Sequence, residues 1–300
     1  MKLKNFKVKT ISLADACFPS LLKEIPNPPS EIYILGDLSQ GALLKNEKIA
    51  IVGTRKATFQ GKAIAKKIAK ELSQKGMVIV SGLAMGIDTA AHEGAIEAGG
   101  KTIAVLACGL DNIYPRQNEN LAQKIIDFGG IIISEYPIGA PPFPNQFLER
   151  NRIVSGLSIA SIVIEAPVRS GALVTARLAA EQGREVFVIP GSIENTNYYG
   201  SHKLIRDGAR LAVSVEDILE DLGLVKECEN QDTEVLIEEI NDKNQLFIIK
   251  VIKQAGKAIN IDKIIEITKL EPQMVNQSLT LLLMKGLIEE VREGYIIKKN

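Results

Sequence analysis

The residues whose types and spacing could do chemistry fall in a few short clusters. Gly53-Thr54-Arg55-Lys56 and Ser81-Gly82-Leu83-Ala84-Met85-Gly86-Ile87-Asp88 each follow an apolar run and precede a helical stretch. A glycine there lets a backbone approach an anion, the helix N-terminus faces it, and Arg55 supplies a phosphate-binding fork. Neither loop is G-x-G-x-x-G, and neither ends in the Gly-Lys-Ser/Thr of a P-loop, so each is either a phosphate turn or a tight βα turn. A third cluster is Pro141-Pro142-Phe143-Pro144-Asn145-Gln146-Phe147, followed by Arg150-Asn151-Arg152. Phe147 offers a stacking ring beside two guanidinium forks, which suits a single nucleic-acid strand whose bases are free to stack. The competing reading makes Phe147 core and one arginine a helix cap. Ser170-Gly171-Ala172 with Thr175 offers hydroxyls and free N–H groups at another helix start, an anion site or an N-cap.

Catalytic arrangements are poorly represented. His92 and His202 are the only histidines, and His92, in Thr-Ala-Ala-His-Glu, suits packing better than catalysis. Cys17, Cys108 and Cys228 are far apart and form no metal-type pair, which points to a reducing, cytoplasmic setting with neither metal nor cofactor. Glu135 and Glu165 sit at strand ends, as a carboxylate pair or as partners for the arginines. The expected protein is a binder. The rival expectation is a nucleotide-handling enzyme of nucleoside-phosphate hydrolase type.

The elements that must position these clusters follow from periodicity. Ile49–Val52, Met77–Val80, Thr102–Leu106, Ile131–Ser134, Ser161–Glu165 and Glu185–Ile189 are Ile/Val-rich runs without alternation, as expected for strands covered on both faces. Between them lie helical segments Gly61–Gln74, Asp88–Ala98, Asn118–Phe128 and Ala172–Gln182. The pattern predicts an α/β fold with a Rossmann-like, doubly wound, mostly parallel sheet, whose ligands bind beyond the carboxyl ends of the strands. Residues 1–45 look like an irregular N-terminal extension with one further strand at Ile32–Leu35, and residues 46–222 form the main domain. Residues 223–242 look like an acidic linker following a helix at Val215–Leu222, with Glu234–Ile240 as a second short helix. Residues 243–300 follow a winged-helix pattern: helices Gln245–Gln254, Ile261–Thr268 and Pro272–Met284, then a hairpin of Leu287–Val291 and Tyr295–Lys298. The third of these helices exposes Gln273, Asn276, Gln277 and Thr280 without an arginine, so protein contact competes with DNA reading there.

Charge agrees with this division. The chain's 36 basic and 36 acidic residues cancel, but residues 1–215 hold 25 basic and 19 acidic side chains and residues 243–300 hold 10 and 6. Residues 216–242 carry 1 basic and 11 acidic. Neutrality therefore does not exclude a nucleic-acid partner. No apolar run reaches the roughly 18 residues of a membrane span, and no membrane partner is expected.

Eight blocks occur in the order found in the DNA-processing protein A (DprA/Smf) family: Val52-Gly-Thr-Arg55, Ser81-Gly-Leu-Ala-Met-Gly-Ile-Asp88, Ser134-Glu-Tyr-Pro137, Arg150–Ser158, Glu165-Ala166, Ser170–Ala176, Val188-Ile-Pro-Gly191 and Gly200–Ala209. The chain closely resembles that family from about Pro26 to Leu222. The resemblance implies a dimeric single-stranded DNA-binding protein without catalytic turnover. It would load the RecA recombinase during natural transformation or recombination. Its DNA pocket, carried onto this chain, would use Arg55 with the Gly53 turn, the Phe147/Arg150/Arg152 segment, Ser170 and Gly171; the turns themselves add Ser81, Gly82, Asn151 and Thr175 as candidate DNA-binding residues. Two departures stand out. The family's helical N-terminal domain is absent or reduced to the lead-in, and Leu148-Glu149 replace the Pro and basic residue that often precede Arg150.

Overall fold

Ile- and Val-rich strands with both faces buried need helices above and below, and the computed structural model supplies them. It describes residues 8–37, 46–224, 242–255 and 258–297. The chain divides into two units between Leu224 and Val225. In the first, the strands are β1 (Lys9–Ser12), β2 (Glu31–Gly36), β3 (Lys48–Val52), β4 (Val78–Ser81), β5 (Thr102–Leu106), β6 (Ile131–Ser134), β7 (Ala160–Val163), β8 (Glu185–Val188) and β9 (Arg210–Leu211). The helices are α1 (Ser20–Lys23), α2 (Phe59–Gln74), α3 (Ile87–Glu97), α4 (Glu119–Asp127), α5 (Pro144–Gly156), α6 (Gly171–Glu181), α7 (Tyr199–Arg206) and α8 (Val215–Asp221).

The strands lie in the order β1-β2-β6-β5-β4-β3-β7-β8-β9. From β6 to β9 every pairing is parallel, while β1/β2 and β2/β6 are antiparallel. The parallel sheet starts at β3, grows outward to β6, then returns through α5 to β7 on the other side of β3. Strand order therefore reverses between β3 and β7, the place where such sheets bind ligands.

Alternate residues of each strand feed opposite cores. Ala50, Val80, Val105, Ile133, Val163 and Val188 pack with residues of α1, α5 and α6. Ile49, Ile51, Ile79, Ile162 and Phe187 pack with α2, α3 and α8, while Ala104, Leu106 and Ile132 pack with α4. Side-chain caps fix several helix starts. The Thr58 hydroxyl accepts from Gly61 N–H at 2.9 Å. Ser214 and Asp217 bond reciprocally at the start of α8, at 3.1 and 3.0 Å. Each such cap contributes about 1 kcal/mol.

Two boundaries depart from the sequence expectation. The lead-in is part of the sheet: β2 covers the β6 edge with Ile34 opposite Ile133, and β1 covers β2. Ile11, Phe18, Leu22, Ile25, Ile32, Ile34 and Leu35 are all buried. Also, Pro144 to Gly156 is a helix that the segments expected between the strands did not include. Pro144 occupies its first turn and the Gln146 side chain accepts from Phe143 N–H at 2.8 Å. The Pro-rich approach hid a helix start that Pro favours.

The second unit comprises α9 (Lys243–Ala255), α10 (Ile261–Thr268), α11 (Pro272–Met284) and the hairpin β10 (Ile288–Val291)–β11 (Gly294–Ile297). It has its own core, including Ile248, Ile252, Ile264, Leu279, Leu282 and Ile288. Three helices followed by a hairpin is the element order expected of a winged helix. The acidic segment 225–241, with the helix expected at 234–240, lies outside the described residues.

Seven buried apolar side chains contribute on the order of 10 kcal/mol through burial, comparable to a whole domain's stability of about 5–15 kcal/mol. A chain starting at residue 46 is therefore expected to lose cooperative unfolding and to self-associate through the bared β6 edge. Thermal melting and size-exclusion chromatography would check this, and a cooperative, monodisperse fragment would refute it.

Candidate nucleic-acid interface

The turns after β3, β4 and β7 are interlocked at the point where strand order reverses. Thr54 N–H donates to the Glu165 carbonyl at 2.7 Å, and Ile87 N–H donates to the Thr54 carbonyl at 3.3 Å. The glycines serve this packing. A Cβ on Gly53 would sit 2.4 Å from Ile87 Cγ1, and one on Gly86, whose φ is +90°, 2.3 Å from the Thr54 carbonyl oxygen. Gly53 is thus required by the α3 contact.

Gly82 has a different neighbour. A Cβ there would lie 2.3 Å from Arg150 Nη1. Arg150 is only 5% exposed, and its Nη1 donates to the carbonyl oxygens of Gly82, at 2.7 Å, and Val105. Asp88, also buried, accepts from the N–H groups of Gly82 at 3.1 Å and Ala84 at 3.4 Å. Burial pushes the Asp88 carboxyl up, and the charge of Arg150 opposes that rise. Arg150 is therefore the internal counter-charge of the β4–α3 turn and not an exposed fork. Arg152 is not one either: its Nη2 donates to the Glu135 carboxylate, and both side chains are largely covered.

Other expected contacts are also internal. The Ser81 hydroxyl donates to the Ile51 carbonyl at 2.6 Å, Asn151 Nδ2 to the Gly171 carbonyl at 3.3 Å, and the Thr175 hydroxyl to the same carbonyl at 3.4 Å. All three residues are buried. Ser170 caps α6, accepting from Ala172 N–H at 3.2 Å, and Gly171 beside it is exposed. Glu165 accepts from Thr58 N–H at 2.9 Å, the Thr58 hydroxyl at 2.5 Å and Asn197 Nδ2 at 3.1 Å. With Glu135 held by Arg152, the two carboxylates belong to separate networks, which removes the acid–base pair a hydrolase reading invites. His92 is buried against Thr102 at 2.7 Å, and burial with the Arg150 charge lowers its pKa to about 3. It is a neutral packing residue, as its helix position suggested.

Arg55 and Phe147 converge on one cleft. Arg55, Gly82, Met85, Asn112, Tyr114, Arg116, Gln117 and Phe147 line an open space of ≈ 600 Å³ at the carboxyl ends of the strands. Arg55 lies over the Phe147 ring, its Cζ 5.1 Å from the centroid. Tyr114 meets the other side of the cluster, with ring centroids 5.3 Å apart and planes at 60°. A cation on an aromatic face at an exposed site gains about 0.5–1 kcal/mol, enough to orient Arg55 without removing it from solvent. The helix α5 brings Phe147 here, while its next turns carry Arg150 inward and Arg152 to Glu135. Glu149 stays exposed and accepts from the Tyr136 hydroxyl at 2.7 Å and Asn145 Nδ2 at 3.2 Å. Tyr114 and Arg116 escaped sequence reading, although an aromatic in the Asp111-Asn-Ile-Tyr-Pro-Arg116 loop after β5 was the available signal.

A sequence model of the family described as DNA recombination-mediator protein A matches residues 9–223. The chain belongs to this family. The match ends where the first unit ends, so the second unit lies outside it. The DNA processing protein DprA of Bacillus subtilis is 45% identical over 215 residues, covering 72% of this chain and 71% of that protein. Protein Smf of Escherichia coli is 42% identical over 205 residues, and the chain spans only 54% of its length. The X-ray structure of DNA processing protein A from Streptococcus pneumoniae superposes with a TM-score of 0.67 at 44% identity, covering 71% of this chain and 74% of that one. The Helicobacter pylori protein, studied for its unique single-stranded DNA binding mode, gives 0.65 at 34% identity, covering 73% and 96%. The family's α/β architecture is therefore shared by this chain.

The buried network makes a prediction. Arg150→Ala leaves Asp88 buried without its counter-charge and bares two carbonyls, so it should cost about 3–5 kcal/mol. Arg55→Ala, on the surface, should cost no more than the cation–π contact, about 0.5–1 kcal/mol. Urea unfolding of both variants checks the contrast, and equal midpoints would overturn it.

Proposed function

We propose that this chain binds single-stranded DNA in the cleft of Arg55, Tyr114, Arg116 and Phe147 and acts as a recombination mediator, loading the RecA recombinase onto the bound strand. The observation that carries the reading is the Arg55–Phe147–Tyr114 cluster. Two aromatic rings and an exposed cation share one open cleft, so bases and phosphates are met side by side. Stacking accepts any base, which gives tolerance of sequence, and a duplex, whose bases are already stacked, gains little from it. Family membership and the single-stranded DNA binding of the Helicobacter pylori relative support the same conclusion. Ser170 and Gly171 at the start of α6 remain candidates for further backbone contact to a phosphate.

Homodimerisation belongs to the same proposal. Leu211 in β9 and Ile193 and Val213, which follow β8 and β9, are 50%, 79% and 72% exposed at an edge that a second copy would cover. In the second unit, α11 has no charged residue and exposes Met274, Leu281 and Met284 beside its polar side chains. That face suits a protein partner better than phosphate-lined grooves. A reducing, cytoplasmic setting fits DNA and RecA as partners.

Affinity for an oligothymidine measured against salt should fall steeply, with a slope of about −0.7 per phosphate contacted. Arg55→Ala should reduce that slope by about 0.7, and Phe147→Ala should weaken binding about 5- to 150-fold. Residues 1–225 should retain the binding. Salt-independent affinity, or preference for duplex, would overturn the proposal.

A further inference from the structure

Phe59 is 88% exposed, more than any other large apolar side chain among the described residues. It opens α2 directly after the Thr58 cap, four residues beyond Arg55. Helical geometry explains its orientation. Gly61, Ala65, Ile68 and Leu72 turn into the core, which places Phe59, Lys66 and Lys70 on the opposite side, with Lys62 and Lys67 flanking them. Lys66 is tied to Glu97 at 2.5 Å and Lys67 to Glu71 at 3.8 Å. Lys56, Lys62 and Lys70 are exposed and form no ion pair among the described residues. An aromatic face in water, with unpaired cations before and after it, therefore continues from the cleft. Four residues span at most about 14 Å between Arg55 and Phe59, a reach of a few nucleotides.

We infer that a single strand occupying the cleft leaves it over the first turn of α2, where Phe59 stacks a further base and Lys62 and Lys70 pair with the phosphates beyond. The inference rests on the proposed cleft and extends it into a second, non-overlapping stretch of strand. A short oligonucleotide fills the cleft alone, whereas a longer one engages both.

The test compares six- and twenty-nucleotide oligothymidines by fluorescence anisotropy on the full chain. Phe59→Ala should weaken the longer oligonucleotide about 5- to 150-fold, the range for loss of one stacked base, and leave the shorter unchanged. Phe59→Trp should restore the affinity and Phe59→Leu should not. Lys62→Ala with Lys70→Ala should lower the salt slope of the longer oligonucleotide by about 1.4. Unchanged binding of the longer oligonucleotide by Phe59→Ala overturns the extension while leaving the cleft intact. Equal weakening of both lengths also overturns it, because Phe59 would then belong to the cleft itself. Failure of the unmodified chain to bind either length would bring down the cleft reading and the extension together.

Discussion

Buried between the β4–α3 turn and the end of β5, the Arg150 guanidinium closes a network that fixes the geometry of everything above it. It bonds the Gly82 and Val105 carbonyls, and its charge opposes the desolvation of Asp88, which itself holds the N–H groups of Gly82 and Ala84. A lone buried cation or carboxylate is costly, and the pair is tolerable only because backbone groups satisfy most of what their mutual attraction leaves over. Gly82 is glycine because the guanidinium occupies the space of a side chain. Through Gly86 and Ile87 the same turn presses on Thr54, and Thr54 in turn bonds across to Glu165. Three strand ends are thereby locked in one arrangement.

That lock separates positioning from binding. Arg150 is buried, so the exposed cations of the cleft are Arg55 and Arg116. Arg55 in turn is placed by the Phe147 ring beneath it, and Phe147 is placed by α5, the helix that also carries Arg150. One helix therefore anchors the turns with one residue and builds the stacking platform with another three positions earlier. The family's blocks mix both kinds of residue, which is why a motif match alone assigns Arg55 and Arg150 the same role.

The sheet and most helices were legible in the sequence because fully buried parallel strands impose uninterrupted Ile/Val runs, and such runs have few other uses. Thr102–Leu106 and Ile131–Ser134 match to the residue, as do α10 and α11, whose starts are marked by Asn260 and Pro272. The lead-in was less legible because β1 is a four-residue strand separated from β2 by Pro-rich turns, and its strand character comes from pairing with β2, which in turn pairs with β6. The start of α5 was masked by Pro141, Pro142 and Pro144, which signal a turn locally even where the last of them opens a helix.

Residue types and order determined by themselves the fold class, the division into two units, the family and the cluster of strand-end loops that meet at the ligand-binding end of the sheet. What they could not determine is which member of a cluster faces water. Glu149 and Arg150 are adjacent on α5 and composition treats both as surface charges, yet Glu149 is exposed and Arg150 is buried. Packing distinguishes them, because a helix turns by about 100° per residue and only the neighbours met at that angle decide between a buried charge and an exposed one. Tyr114 and Phe147 meet for the same reason: their contact exists only once the loop after β5 and the first turn of α5 are brought together by the sheet.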